Sequence, residues 1–202
     1  DGCRAVFHAV EELLVGAELC HAYVNVMLPL SRRREELQKR KHFECRCSRC
    51  VTEESKALHR PVDKDFAAMV QNSIVERERG NRLGAMRMCR AAVGVDSSGL
   101  VGGSSMALLH QQLAEMLFED GAWEESLRHA VEAIPLLDKD FPFAFPSTAA
   151  LHLLAGAAAQ KLGRLVEARN QYSIAAERLK ISYGAEHHST RHAVRAASEC
   201  MP

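Results

Sequence analysis

From about residue 65 onward, apolar residues recur at the spacing of amphipathic α-helices. Two such stripes are Met106, Leu109, Leu113, Met116 and Leu117, and Leu127, Val131, Ile134 and Leu137. Positions three and four apart lie on one face of a helix, so each stripe predicts a helix that buries one side. Residues 65–202 are therefore predicted to form a mainly α-helical domain.

A repeated pattern runs through this helical region. Segments that begin at Gly80, Gly121 and Gly163 align with one another, and their glycines stand 41 and 42 residues apart. A bulky apolar residue and then a small one follow each glycine, and these pairs are Leu83 and Ala85, Trp123 and Ser126, and Leu165 and Ala168. Glycine permits a chain reversal between two helices, and the small residue lets the helices approach closely.

This pattern predicts an array of helical hairpins similar to tetratricopeptide repeats. Its helices are longer than those of the usual repeat of about 34 residues. The alternative is an ordinary helical bundle in which the spacing is fortuitous.

The first third of the chain has a different pattern. Residues 1–30 carry short apolar bursts, which predict short strands and turns rather than a long helix. Polar sequence that contains Pro61 predicts a linker over residues 52–64. The expected organisation is an N-terminal segment of residues 1–51, this linker, and the helical domain of residues 65–202.

A strongly charged helix is predicted over residues 32–41, inside the N-terminal segment. Ser31 is placed to cap it, and Glu35 and Lys39 form a stabilising i, i+4 pair. The basic run could be read as a nucleic-acid patch, but Glu35 and Glu36 interrupt it, which favours a solvated helix face. The segment would then be a small zinc-binding remnant, as the cysteines below indicate.

Composition narrows the class of protein. Lys plus Arg and Asp plus Glu are both 26, so the formal net charge is zero, and no global basic field for nucleic acid or anionic lipid exists. Hydrophobic residues make up 47% of the chain, a globular balance. No apolar run approaches the ~20 residues of a membrane helix, and no signal-peptide pattern opens the chain. Cytoplasm or nucleus is the expected location, with no membrane partner.

Three of the seven cysteines fall within six residues, at Cys45, Cys47 and Cys50. So close a trio in a reducing compartment predicts a shared structural zinc, which takes four Cys or His ligands. The fourth ligand is missing from the cluster; Cys20 or His42 could supply it in an independent zinc module, although His42 would strain the loop. The other reading is three unliganded thiols on a polar loop, which would oxidise easily.

Several motifs together resemble a known family. They are Gly16-Ala-Glu-Leu-Cys-His-Ala-Tyr23, Leu28-Pro29, Arg32-Arg33-Arg34 to Leu37, and Phe43-Glu-Cys45-Arg-Cys47-Ser-Arg-Cys50. In order and spacing they resemble the end of the SET domain and the post-SET segment of the SET-and-MYND (SMYD) lysine methyltransferases. That family also carries a C-terminal tetratricopeptide-like domain, so the resemblance extends over nearly the whole chain.

The resemblance implies a role for each motif residue. Tyr23 occupies the position of the tyrosine that lines the lysine channel, where its phenol would orient the substrate amine toward S-adenosylmethionine. Phe43 matches the aromatic residue that packs against the adenine of this cofactor. Cys45, Cys47 and Cys50 match the post-SET zinc ligands. The alternatives are a buried strand tyrosine for Tyr23 and a core anchor of the zinc loop for Phe43.

The sequence also departs from the family pattern. In the family, an upstream Asn-His-x-Cys motif supplies the fourth zinc ligand and part of the cofactor site, and this sequence has no such motif. Cys3 and Cys20 do not stand where the family places that ligand. Lys41 stands where the family often has a second channel tyrosine. The chain is therefore expected to be the C-terminal portion of such an enzyme, inactive by itself.

Two functions remain in view at the level of sequence. The first is a SMYD-like, S-adenosylmethionine-dependent methyltransferase acting on protein or histone lysines. The second is a non-enzymatic helical-repeat interaction module with a zinc-binding N-terminal segment. In either case a chaperone or peptide partner on the helical domain is possible.

Overall fold

The structure is a computed structural model that describes residues 6–59, 64–95 and 103–200. Within these residues it contains α-helices and no β-strand. The helices are α1 (Leu30–Lys41), α2 (Ser48–His59), α3 (Lys64–Glu78), α4 (Arg82–Val95), α5 (Gly103–Glu119), α6 (Trp123–Asp140), α7 (Pro146–Lys161), α8 (Leu165–Tyr183) and α9 (His188–Glu199). None of these described helices has both the length and the apolar character needed to cross a bilayer. The predicted helical fold class is confirmed.

The chain divides into two compact units. One comprises residues 18–113, and the other comprises residues 114–202 with the N-terminal residues up to 17. In the first unit α1 contacts α2 and α3 contacts α4. In the second, α6 packs against α7, α7 against α8, and α8 against α9. The two helix pairs joined by the turns at Gly80 and Gly163, α3 with α4 and α7 with α8, thus pack on each other as the hairpin pattern predicts.

The three repeated glycines lie in the turns between helices. Gly80, Gly121 and Gly163 have φ angles of 76°, 77° and 74°, a left-handed backbone conformation that residues other than glycine rarely adopt. The small residues that follow them, Ala85, Ser126 and Ala168, are each 0% exposed. Ser126 also donates its hydroxyl to the carbonyl of Ala114 at 2.7 Å, so the small side chain bonds one helix backbone to the next.

The contact between α7 and α8 depends on a second small residue. Gly156 is buried in α7, and a Cβ atom placed there would lie 2.8 Å from Cδ1 of the Tyr172 ring. Tyr172 is 3% exposed, and its hydroxyl donates to Oε1 of Gln160 at 3.1 Å. The absence of a side chain at Gly156 therefore makes room for a buried aromatic ring.

An ion pair inside the second unit fastens α8 to α6. Arg178 donates to both carboxylate oxygens of Asp138 at 2.7 and 2.8 Å and to the carbonyl of Phe143 at 2.6 Å. The Arg178 guanidinium also lies over the Phe143 ring, 4.3 Å from its centroid. Because the arginine side chain is 5% exposed, these partners replace the water it would otherwise bind.

The N-terminal part differs from the prediction in two respects. Residues 6–29 contain no strand, because a strand needs a neighbouring strand to satisfy its backbone groups, and the described chain offers none. The helix α1 begins at Leu30 with Pro29 as its N-cap and no side-chain cap, so the expectation that Ser31 caps it is wrong. The predicted Glu35–Lys39 pair is present, with 2.7 Å between Lys39 Nζ and Glu35 Oε1.

The segment predicted as a linker is helical over residues 52–59, within α2. Its polar character reflects carboxylates that face the arginines of α1, not an unstructured connection. Arg34 donates to both oxygens of Glu54 at 2.8 and 2.9 Å. Pro61 lies outside the described residues.

Candidate functional site

The cysteine cluster (Cys45, Cys47 and Cys50) lies at the start of α2. The backbone N–H of Val51 donates to the carbonyl of Cys47 at 3.1 Å, which makes Cys47 the residue that precedes the first helical turn. Cys50 follows in that turn. The three sulfur atoms lie within 4.8 Å of one another.

Local backbone geometry brings Cys45 to the same place. At the end of α1, His42 adopts a left-handed conformation with φ 58°, and its N–H donates to the carbonyl of Gln38 at 3.2 Å. This ends α1 and turns the chain back toward the start of α2. His42 itself does not join the sulfur cluster.

The cluster fits a zinc ion on the chemistry and spacing of its donors. Zn–S bonds of about 2.3 Å in a tetrahedral site place sulfurs about 3.8 Å apart, which is within the separation found here. Cys50 is 4% exposed, Cys45 is half-buried and Cys47 is exposed, so the cluster is open on one side. Among the described residues no fourth cysteine, histidine or carboxylate joins it. The proposed fourth ligands Cys20 and His42 are therefore not brought to it, and Cys3 lies outside the described residues.

Hydrogen bonds and burial act differently on the thiols. Burial opposes ionisation of Cys47, but the N–H groups of Cys50 and Arg49 and the neighbouring thiols donate to its sulfur and lower its pKa. Burial raises the pKa of Cys50 to about 11, with Arg33 opposing this effect and the neighbouring thiols adding to it. Cys47 therefore ionises before Cys50, and a metal that binds Cys50 must displace its proton.

Arg33 of α1 contacts this cluster, and Arg49 of α2 shares its carboxylate partner. Arg33 donates to Glu53 Oε2 at 2.7 Å and to Cys50 Sγ at 3.8 Å, and Arg49 donates to Glu53 Oε1 at 2.6 Å. Arg33 is 4% exposed, so the prediction of a uniformly solvated face over residues 32–41 is wrong for this residue. The signal in the sequence was the pair of adjacent glutamates in α2, which match the adjacent arginines of α1.

The structure brings Tyr23 and Phe43 together. Their ring centroids are 6.1 Å apart in an edge-to-face arrangement, a favourable geometry for aromatic pairs. Lys41 Nζ lies 5.2 Å from the centroid of the Tyr23 ring, and the His21 ring lies 4.4 Å from it on centroids. Lys41 and His21 thus lie against the Tyr23 ring, and we call Tyr23, Phe43, Lys41 and His21 the aromatic group. Lys41 is the residue that stands where the family often has a second channel tyrosine.

Both rings remain accessible. Tyr23 is 51% exposed and Phe43 is 39% exposed, so neither the buried strand tyrosine nor the core anchor describes them. Tyr23 also lines an open cavity of about 780 Å³ with Leu28, Arg40, Ile74 and other residues of the first unit. A polypeptide side chain can enter a cavity of this size.

Comparisons with known proteins point to a class of enzyme. The chain is similar along nearly its whole length to protein-lysine methyltransferases of the SMYD type, which confirms the resemblance drawn from the motifs. It is 23% identical to the histone-lysine N-methyltransferase SMYD3 of Mus musculus and to that of Homo sapiens, over 205 residues and 99% of the chain. It is 24% identical to the N-lysine methyltransferase SMYD2-A of Xenopus laevis over 93% of the chain.

The similarity covers only part of the length of each relative. The matched region is 48% of each SMYD3 protein and 47% of SMYD2-A, so the chain spans about half the length of the curated relatives it matches. No protein-family model matches the chain.

Proposed function

We propose that this chain forms the C-terminal portion of a SMYD-like, S-adenosylmethionine-dependent protein-lysine methyltransferase. Residues 1–51 would be the end of the SET domain and the post-SET segment, and residues 65–202 the tetratricopeptide-like domain. The observation that carries the proposal is similarity to SMYD3 over 99% of the chain. The alignment includes both the aromatic group and the cysteine cluster, which a helical interaction module would not need together.

In this proposal the cysteine cluster holds a structural zinc. Cys45, Cys47 and Cys50 supply three thiolates, and the fourth ligand comes from outside the cluster. Zinc bound there would stabilise the start of α2 and the turn after α1, a short region with little apolar core of its own. The metal would thereby keep Phe43, two residues before Cys45, in a fixed position.

The aromatic group would receive the cofactor and the substrate lysine. Bound S-adenosylmethionine would supply an electrophilic methyl group. Phe43 would stack on its adenine through the accessible ring, and the Tyr23 phenol would orient the lysine amine for in-line attack, mainly by positioning.

The substrate amine must also lose a proton before it can react. A free lysine has a pKa of about 10.4, and burial in a narrow apolar channel favours its neutral form. The Lys41 ammonium near the Tyr23 ring would favour it further, because two like charges repel. In this proposal Tyr23 positions the substrate amine, and Lys41 favours its deprotonation.

Protein lysines, including histone lysines, are the proposed substrates, and the helical domain is the proposed binding surface for a peptide or chaperone partner. The proposed location is cytoplasmic, nuclear or both. The non-enzymatic module is less favoured, because the named relatives are methyltransferases.

The test is methyl transfer by the natural gene product that contains this chain. The protein is incubated with isotope-labelled S-adenosylmethionine, mixed histones and a total protein extract, and labelled lysines are identified by mass spectrometry. We expect Tyr23→Phe to reduce transfer by about a hundredfold, since misplaced reactants cost that much. Tyr183→Phe is the matched control, because Tyr183 is similarly accessible at 41% exposed but lies in α8. The proposal would be contradicted if the unsubstituted protein labelled no lysine, or if the two variants had equal activity.

A further inference from the structure

We propose that Arg33 is a positioning residue that fastens the zinc-bound cysteine cluster to the loop that carries Tyr23. The inference rests on the proposed function of the cluster as a zinc site. It adds a specific residue of α1 to that site, outside the cysteine motif.

Arg33 is buried and has three acceptors. Its side chain is 4% exposed, and a charge so buried is tolerated only when it is paired and hydrogen-bonded. NH1 donates to the carbonyl of Leu28 at 2.6 Å, and NH2 donates to Glu53 at 2.7 Å and to Cys50 Sγ at 3.8 Å. One side chain therefore joins a loop carbonyl, a carboxylate of α2 and a candidate zinc ligand.

The loop that Arg33 reaches is itself ordered by hydrogen bonds. The N–H of Met27 donates to Asn25 Oδ1 at 2.9 Å, and the N–H of Leu28 donates to the carbonyl of Asn25 at 3.3 Å. Ser105 donates to the carbonyl of Met27 at 3.4 Å. Tyr23 and Leu28 line the same cavity, so the Arg33 bond to the Leu28 carbonyl joins the cysteine cluster to the segment that borders this cavity.

The charge of a zinc–thiolate centre also favours this role for Arg33. Three thiolates around one divalent zinc leave a net charge of about −1, and a fourth thiolate would make it about −2. A guanidinium that bonds a ligand sulfur offsets this charge and orients the ligand. Such partners of metal ligands typically change metal affinity by about 10–100-fold.

Geometry also explains why this residue is an arginine. The fork of the guanidinium directs NH1 and NH2 to separate acceptors, whereas a lysine ammonium is a single point of donation. Lysine at position 33 would keep the charge but lose either the Leu28 carbonyl or the α2 acceptors.

Arg34 provides a matched control within the same helix. It bridges α1 to α2 as Arg33 does, through Glu54 at 2.8 and 2.9 Å, but it is 21% exposed and its partners are the carboxylates of Glu54 and Glu44. A substitution at Arg34 therefore removes an interhelical ion pair and a positive charge without removing a bond to sulfur.

The experiment measures zinc affinity by chelator competition in the natural gene product, with folding checked by circular dichroism. We expect Arg33→Met to weaken zinc binding by at least about tenfold, Arg33→Lys to give an intermediate loss, and Arg34→Met to stay within about twofold of the unsubstituted protein. With cobalt in place of zinc, the sulfur-to-metal charge-transfer band should shift in Arg33→Lys and not in Arg34→Lys. That band reports on the sulfur itself, so it separates positioning from general stability.

Equal zinc affinities for the Arg33 and Arg34 variants, with an unshifted cobalt band, would overturn the inference while leaving the zinc site in place. If Arg33→Met fails to fold, Arg33→Lys decides the matter by the same two readouts. A zinc content unchanged by Cys50→Ser would instead overturn the proposed zinc role, and this inference with it.

Discussion

Replacement of Gly156 by alanine tests the packing of the helical hairpins most sharply. In a helix interior, alanine is favoured over glycine by about 1 kcal/mol, so the change would stabilise α7 if space were available. The added Cβ would lie 2.8, 2.9 and 3.0 Å from three carbon atoms of the Tyr172 ring. Unstrained carbon atoms approach to about 3.5–4.0 Å, so the ring or the helix must move by more than half an ångström.

The ring has little freedom to do so. Tyr172 is 3% exposed and is bonded to Gln160 on the same helix as Gly156. Overpacking of this kind costs about 1–3 kcal/mol. After the gain in helix propensity, we expect Gly156→Ala to lower the free energy of unfolding by about 1 kcal/mol.

The assay is urea denaturation followed by circular dichroism, with Gly94→Ala as the matched control. Gly94 is also helical, and a Cβ atom there would meet nothing within 4 Å. We expect this control to leave stability unchanged or to raise it by up to about 1 kcal/mol. If Gly156→Ala stabilised the protein as much as Gly94→Ala does, the close contact between α7 and α8 would be refuted.

Three further predictions concern buried polar groups. Arg178→Met should lower the free energy of unfolding by about 2 kcal/mol in urea, because it leaves the Asp138 carboxylate and a loop carbonyl without their donor; no loss would contradict the ion pair. Burial lowers the pKa of His152, so the unfolded chain takes up this proton first, and stability should fall as pH drops below about 6.5. A melting temperature measured from pH 7.5 to 5.5 should fall less in His152→Gln, and parallel curves would count against the assignment. Burial raises the pKa of Cys89 to about 11, so at neutral pH iodoacetamide should modify exposed Cys20 and spare Cys89 by peptide mass spectrometry; equal labelling would contradict this.

Much of the helical domain could be predicted from the sequence, because its turns depend on local chemistry. The three repeated glycines identify chain reversals by their need for positive φ, and the small residues after them identify the close contacts. The role of Gly156 could not be predicted in this way, because a glycine within a helix does not indicate which residue will occupy the space beside it.

The proximity of the three cysteines could be predicted from the sequence, and the residues that surround them could not. The spacing of Cys45, Cys47 and Cys50 predicts a shared site from a few adjacent residues. The burial of Arg33 depends on the carboxylate of Glu53, twenty residues away, which no local pattern reveals. The missing strands of residues 6–29 have a similar cause, because β-structure requires a partner strand and cannot be assigned from one segment alone.

The central claim is that the cysteine cluster holds a zinc that organises an S-adenosylmethionine site. Native mass spectrometry of the natural gene product, with and without Cys50→Ser, measures both ligands at once. We expect Cys50→Ser to hold one zinc fewer per chain than the unsubstituted protein and to retain no S-adenosylmethionine. Equal zinc content and equal cofactor binding in the two proteins would contradict it.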